Sequence, residues 1–401
     1  MLNPNDAVFW KLDNLTTVRK CRCNEDPMAK GEVIQPDIGF IREIKKTGGE
    51  SVKKCFQCAT CSVTCNLSPS ERPFPRKEMI LTQWGQADKL IRDPDIWLCH
   101  QCNDCSEKCP RGAKPGDVLA AIRNYAYKRF AFPSFMGRAL ANPLALPLLI
   151  LFPMILIYGM MSSFVSGNPS ALSGPIQFSK FIPQAWIEYL FIGGNILIFL
   201  FAFAGLWRFW NGLQAIGSSK PTTGFVPSLI VTMKDIGLHT NFKECEANKT
   251  RYIAHMLVLF GFIGAMITAG LAVLGLLLVH MESPIPLGNP IKWLGNASGI
   301  AGLSGLLIML IRRIALKDKV GANGYVDWLF VIMLFAVFTT GLLSQFIRLT
   351  ENAPAAYSIY YIHLVTVFFI LWYAPYSKFA HMFYRTLALV HARSMGRTVR
   401  A

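Results

Sequence analysis

Acidic residues are scarce in this chain: 24 Asp and Glu stand against 40 Lys and Arg, and charged residues make up only 16% of its 401 positions. So little charge, beside a hydrophobic fraction of 52%, excludes a disordered or wholly solvated chain. Histidine is scarcer still, at seven residues, and three cysteines lie outside two short runs, so neither a disulfide scaffold nor a histidine-rich tract is present. The opening MLNPNDAVFWKLDN lacks the basic and apolar regions of a secretory signal, so the polar N-terminal part is expected in a reducing cytoplasm. A net charge of +16 would suit nucleic acid on one soluble face; here the basic residues flank apolar runs, and no nucleic-acid partner is expected.

What is present divides the chain in two. Residues 1–140 are polar and rich in Lys, Asp and Pro, whereas 141–401 holds several apolar runs near bilayer length, which reads as a soluble head on a membrane body. Within the head, residues 1–50 form a polar lead-in closed by the turn signal Thr47-Gly48-Gly49. Pro75–Ile91 has helix-forming residues, with Met79, Ile80, Trp84, Leu90 and Ile91 available to face inward, and Gly116–Phe130 reads as a helix capped by Asp117. No strand alternation stands out, so the expected class is all-α.

The body reads as six spans: Leu144–Phe164, Trp186–Phe209, Tyr252–Val279, Ala297–Ile311, Tyr325–Ile347 and Ile359–Tyr376. The loop over 211–248 is too polar to span and carries VPSLIVTMKDIGLH, which reads equally as an amphipathic helix suited to the membrane surface or the head and as a solvated loop. Basic residues set the orientation. Lys128, Arg129 and Arg138 precede span one; Arg208, Lys234 and Arg251 lie between spans two and three; Arg312 and Arg313 follow span four; Lys378, Arg385, Arg393 and Arg397 follow span six. The opposite loops carry little beyond Lys180, Lys292 and Arg348, so both termini and the head are expected on the cytoplasmic side of the inner membrane.

Eight of the eleven cysteines form two copies of C-x2-C-x2-C-x3-C: Cys55, Cys58, Cys61 and Cys65, then Cys99, Cys102, Cys105 and Cys109, 44 residues later. Three thiolates around one loop can hold three corners of a 4Fe–4S cube, while the fourth cysteine points away and ligates the other cluster of a pair. Cys55, Cys58 and Cys61 with Cys109 are therefore expected to hold one cluster, and Cys99, Cys102 and Cys105 with Cys65 the other. Structural zinc uses paired C-x-x-C or mixes in histidine, and a repeated triple run is poor geometry for it. Pro110 after the last cysteine fits the cluster pattern, whereas Asn66 after the first copy departs from it. Cys21, Cys23 and Cys245 read as free thiols.

Histidine beside a span invites a functional reading. His255, near the start of span three, and His381, just past span six, are expected at similar depth on different helices, as two axial ligands of a b-type haem must be. His363 lies eighteen residues before His381, five whole turns if the helix is continuous, which would put both on one face about 27 Å apart. A second haem would then use His363, with His280 as the available imidazole on span three. His100, His239 and His391 read as hydrogen-bonded interfacial residues.

These motifs resemble known families. Residues 40–125 look like the iron–sulfur subunit of heterodisulfide reductase, a helical ferredoxin with two 4Fe–4S clusters. From Trp186 onward the chain resembles the membrane cytochrome b of that system and of respiratory nitrate reductase, matched at His255, His363 and His381, with Ala265 where nitrate reductases have a further histidine. The fusion is similar to the C-subunit family of quinone-interacting membrane-bound oxidoreductase complexes. That resemblance implies menaquinol oxidation, one or two b haems, and electrons passed to flavin-bearing, heterodisulfide-reductase-A-like subunits that serve adenylylsulfate reductase. A quinone slot near His363 would be lined by Tyr360, Tyr361, Gln345 and Arg348, residues that would equally suit an interfacial belt. Rival expectations are a heterodisulfide-reductase-like complex using another lipid carrier or reverse flow, and a membrane-anchored metal-binding sensor without turnover.

Overall fold

The computed structural model describes residues 10–13, 17–20, 34–168, 174–216, 221–238, 249–279, 281, 284–316 and 324–397. The chain divides into two compact units, Met1–Pro36 and Asp37–Ala401. In the first, β1 (Trp10–Asp13) pairs antiparallel with β2 (Thr17–Lys20), Trp10 opposite Lys20. The polar lead-in therefore contains a short hairpin that no residue alternation announced. The described part of the second unit is helices and turns.

Its head begins with α1 (Ile38–Ile44), where the Asp37 carboxylate caps by accepting the Phe40 N–H at 2.8 Å. Then follow α2 (Thr60–Thr64), α3 (Arg76–Gln83), α4 (Ala87–Ile91), α5 (Asp95–Leu98) and α6 (Asp104–Glu107). The single helix expected over Pro75–Ile91 is thus two. Gly85 turns left-handed at φ 67° between them, and its Cβ position lies 2.9 Å from the Asp37 nitrogen, a space only glycine fits. Trp84 sits at the break and is 55% exposed, contrary to its expected inward face, while Met79, Leu90 and Ile91 are buried. The long α7 (Pro115–Phe130) runs through the middle of the head. Proline at its first position replaces the expected Asp117 cap, because that position needs no N–H.

After α8 (Ser134–Leu140) come α9 (Leu146–Gly167), α10 (Gln184–Glu188), α11 (Gly194–Ile216), α12 (Phe225–Leu238), α13 (Lys249–Val279), α14 (Pro290–Ala315), α15 (Tyr325–Leu349), α16 (Ala353–Trp372) and α17 (His381–Ser394). Six helical segments are long and apolar enough to cross a membrane: Pro143–Gly167, Gln184–Ala215, Thr250–Val279, Pro290–Ala315, Tyr325–Leu349 and Ala353–Trp372. The fourth is much longer than its apolar stretch alone suggested. Small residues let it approach α13 closely: a Cβ on Gly261 would meet the Gly302 backbone at 2.6 Å, and one on Gly264 would run into the Ser298 hydroxyl.

The head is packed against the body. One core joins Ile91, Trp97, Ile122, Tyr127 and Phe130 to Phe209 of α11 and to Tyr384 and Ala388 of α17. The composition change near residue 140 therefore marks a change of solvent and no gap in packing. The amphipathic segment expected in the polar loop is α12, held to α17 by Arg393, which donates to the Thr232 hydroxyl at 2.8 Å and pairs with Asp235.

Candidate functional site

The two cysteine runs fold alike. Gln57 and Ala59 in the first, and Gln101 and Asn103 in the second, are all left-handed, and each pair is separated by the same 44 residues as the cysteines. These kinks wind each loop tightly. Ala59 and Asn103 then start α2 and α6, their carbonyls accepting from Ser62 at 2.9 Å and from Ser106 at 2.9 Å.

The braces behind the loops also correspond. In the first, Gln83 accepts from the Gln57 side chain at 2.7 Å and donates to the Val52 carbonyl at 3.0 Å. In the second, Arg123 donates to the Gln101 side chain at 3.1 Å and to the Ile96 carbonyl at 2.8 Å.

The thiols gather in two groups. Burial pushes Cys61 up to about 11, and the neighbours adding to that rise are Cys55, Cys109 and Cys58. Burial pushes Cys65 up to about 12, with Cys99 and Cys102 adding to it. Cys105 is raised by burial, then by Cys99, Cys102 and Cys65, with a smallest share from Cys61. Cys65, Cys99, Cys102 and Cys105 line one cavity together with Phe74, His100 and Leu119. Each fourth cysteine thus lies with the other run. Backbone N–H groups reach the sulfurs, Gln101 to Cys99 at 3.3 Å and Ala113 to Cys109 at 3.4 Å. Four converging sulfurs with N–H donors are a donor set that fits a 4Fe–4S cube, and binding would displace the thiol protons.

The two groups differ in surroundings. Cys58 is exposed, beside Phe56 at 68% exposure and Val63 at 86%, with exposed Arg111 stacked 4.1 Å over the Phe56 ring. No cysteine of the second group is exposed. Trp97, two residues before Cys99, stacks on Tyr384 of α17 at 5.4 Å and 17°, and packs on Phe209 at 5.4 Å. Leu389 of α17 and Ile236 of α12 pack beside Cys65 and Cys99. Arg251, at the start of α13, donates to the carbonyls of Gln101 at 2.6 Å and His100 at 3.1 Å. Arg385 is on α17, which packs against α5 just before Cys99 and carries Leu389 one turn further on; burial pushes its guanidinium down to about 10, opposed by Cys99 and reinforced by Arg123 and Arg251.

The histidines need one correction. His363 is on α16, but that helix stops at Trp372, and two 3-10 turns, Ala374–Tyr376 and Lys378–Ala380, precede His381. Pro375 offers no N–H to continue the helix, and Ser377 accepts from the Phe379 N–H to begin the next. The five-turn argument that placed His363 and His381 on one helical face therefore fails. Both rings are nonetheless fixed by one nitrogen. His381 Nδ1 donates to the Lys378 carbonyl at 2.7 Å. The Thr340 hydroxyl lies 3.0 Å from His363 Nδ1 and also reaches the Ala336 carbonyl at 2.7 Å. With Nδ1 donating, His381 keeps its Nε2 lone pair, the arrangement of a metal-bound imidazole. His255 is on α13, which approaches the His381 turn through Phe262, 4.8 Å from the Phe379 ring. His280, His239, Cys21, Cys23 and Cys245 lie outside the described residues.

Of the residues proposed to line a quinone slot, Tyr361 donates its hydroxyl to the Met154 carbonyl at 2.8 Å and Tyr360 stacks on Phe178 at 4.1 Å, so both are engaged in helix packing. Gln345 and Arg348 are half-buried on α15. His391 meets Trp210 edge-on at 5.8 Å, a ring contact where a hydrogen bond was expected. Sequence reasoning missed Gln83, Arg123, Trp97 and Tyr384. Only the repeat carried a signal for them, since Val52 and Ile96 keep its 44-residue offset.

Residues 51–113 match the family described as a 4Fe-4S dicluster domain. The chain is 39% identical over 107 residues to the C subunit of the H(2):CoB-CoM heterodisulfide,ferredoxin reductase of Methanothermobacter marburgensis, covering 26% of this chain and 55% of that protein. It is 38% identical over 112 residues to the C-type iron-sulfur subunit of the CoB--CoM heterodisulfide reductase of Methanopyrus kandleri, covering 26% and 57%. The chain thus spans about half the length of these curated relatives. A longer similarity, 24% over 355 residues, covers 84% of this chain and 88% of the citrate utilization protein B of Escherichia coli. No solved structure matches. The chain thus combines six helices long and apolar enough to cross a membrane with a segment, residues 51–113, that matches a 4Fe-4S dicluster domain and is similar to the C-type iron–sulfur subunit of heterodisulfide reductase.

Proposed function

We propose that this chain is the membrane electron-transfer subunit of a multi-subunit oxidoreductase, linking a menaquinol pool to flavin-bearing partners on the cytoplasmic side. The observation that carries this reading is the Trp97–Tyr384 stack at 5.4 Å. It joins the cysteine loop at Cys99 to the helix that begins with His381, so donor sets from the two halves meet across one aromatic contact. Cys55, Cys58, Cys61 and Cys109 would hold one 4Fe–4S cluster, and Cys65, Cys99, Cys102 and Cys105 the other. His381 with His255 would hold haem b, and His363 would be the imidazole available to a second. These groups supply one-electron chemistry when bound. The protein contributes fixed imidazoles, sulfur-directed N–H groups, and a body whose apolar helices can admit a lipid-soluble quinol.

The flavin-bearing partners would resemble heterodisulfide reductase A, and adenylylsulfate reductase would be the eventual acceptor, both by resemblance. The similarity to a citrate utilization protein over 84% of the chain supports the fused architecture. Both termini would be cytoplasmic, following the basic flanks of the spans.

The test is optical and analytical. Purified protein should show a reducible b-type haem and about eight cluster irons per chain. His381→Ala should remove haem while leaving those irons. Protein without haem, or a variant with unchanged haem, would overturn the reading of the body; the sulfur sites are judged separately by iron and EPR.

A further inference from the structure

The repeat is nearly symmetrical except in charge. At the brace position the first loop has neutral Gln83 and the second has Arg123, each tied to the glutamine between the first two cysteines and to the carbonyl three residues before the first. Arg123 is 9% exposed, and among the described residues neither it nor Arg385 is paired with a carboxylate. Arg251 adds a third guanidinium, bound to the Gln101 and His100 carbonyls of the same loop. Two half-buried lysines near the membrane boundary have ordinary counter-ions, Asp327 for Lys378 and Glu43 for Lys128. A buried guanidinium without a carboxylate is costly unless another negative group faces it. Here that group would be the anionic cube and the four thiolates that hold it once their protons are displaced. The first loop has only exposed arginines beside it, Arg76 on the Gln57 carbonyl at 3.0 Å and Arg111 over Phe56.

We propose that Arg123, Arg251 and Arg385 are the built-in counter-charge of the cluster held by Cys65, Cys99, Cys102 and Cys105, and set it at a more positive potential than the first. This rests on the cluster assignment above. Cluster potential follows net charge, hydrogen bonding to sulfur and exposure; each site has a backbone N–H on a sulfur and burial alone would lower the second, so the guanidinium charge is what sets the second more positive. An electron arriving from the body would come to rest at the second site, beside Trp97 and Tyr384. Onward transfer to the exposed Cys58 edge would run uphill until a partner draws it. The three arginines come from α7, α13 and α17, so a shift of the membrane helices against the head would alter that potential directly.

The experiment is potentiometric EPR on the full-length, cluster-loaded protein. Arg123→Gln installs the brace of the first loop in the second; with Arg385→Gln it should shift the second cluster negative while the first stays put. Each loss is expected to change the reduction equilibrium about tenfold, which is 59 mV for one electron. Gln83→Arg should move the first cluster the other way. Arg385→Lys, keeping the charge, should retain most of the original value, and with Arg123→Gln it carries the test if Arg385→Gln fails to assemble. A second-cluster midpoint unmoved in these variants overturns the proposal. So does a haem midpoint that moves in Arg385→Gln while the cluster does not, which would give that arginine to a haem carboxylate. Fewer than about eight irons in the parent protein would instead fail the cluster assignment itself.

Discussion

The two cysteine loops have the same spacing, the same left-handed residues and the same brace geometry, yet one looks out and the other looks in. The first ends at solvent with Cys58 and Phe56; the second lies against Trp97, Tyr384 and three arginines contributed largely by the membrane half. A repeated motif therefore sets what a site can bind, while its neighbours set what the bound group does. In the proposed relay the buried loop, which touches the body, would take the membrane side and the exposed one the partner side.

The largest expected effect breaks the pairing of loops and thiols. If the fourth cysteines cross over, Cys109→Ala should resemble Cys55→Ala in its EPR spectrum, and Cys65→Ala should resemble Cys99→Ala. Each should lose one cluster, leaving about four of about eight irons per chain. The opposite matching, with Cys65→Ala resembling Cys55→Ala, would return each fourth cysteine to its own loop.

A middle-sized effect concerns what lies between the loops. Glu78 on α3 is fully buried beside Asp93 and Asp95; the half-buried Lys77 places its ammonium 2.6 Å from each aspartate and 3.3 Å from Glu78. Lys77 thus already fills the place a metal cation would take. Arg397, near the C-terminus, completes the network at Asp95. Burial pushes Glu78 up to about 8 from 4.5, opposed by Lys77 and reinforced by the aspartates. Between those values only the unfolded chain has lost the proton, so Glu78 makes the head less stable as pH rises, with the loss complete above about 8. Glu78→Gln should flatten that slope, on the order of a few kcal/mol over the interval. Denaturant unfolding followed by tryptophan fluorescence at pH 5 and pH 8 measures it; equal slopes in parent and variant would mean that Glu78 is ionised throughout.

The sequence-level reading succeeded where periodicity is set by one rigid requirement. Cysteine spacing reports loop geometry because every position in the loop is constrained, and hydropathy reports spans because the bilayer has a fixed thickness. It failed where the deciding partner is a distant backbone atom. Arg123 is recognised by the Ile96 carbonyl and the Gln101 side chain, and an arginine on a helix otherwise looks like a solvated one. The break before His381 was written in Pro375, but an eighteen-residue separation that suits five turns concealed it. Trp84 was misread because the helix expected to turn it inward ends at Gln83, and Ala59 carries no sign of its left-handed backbone.

That last position offers the smallest and sharpest comparison. Ala59 has φ 66° and its counterpart Asn103 has φ 79°, so the same strained conformation is occupied by a residue poorly suited to it in one loop and better suited in the other. Ala59→Gly should relieve the strain and stabilise the first loop by about 0.5 to 1 kcal/mol, and Ala59→Asn should do so by less. Asn103→Ala should cost the second loop a similar amount. The readout is the rate at which iron leaves each site to a chelator at fixed temperature: about two- to five-fold slower from the first site in Ala59→Gly, and faster from the second in Asn103→Ala. If both loops respond alike to Ala at these positions, the exposed site is weaker for lack of cover, as its bare Cys58 would suggest. If removing the strain brings the first site close to the second, backbone conformation is the larger part of the difference, and the arginines act on potential more than on retention of the cluster.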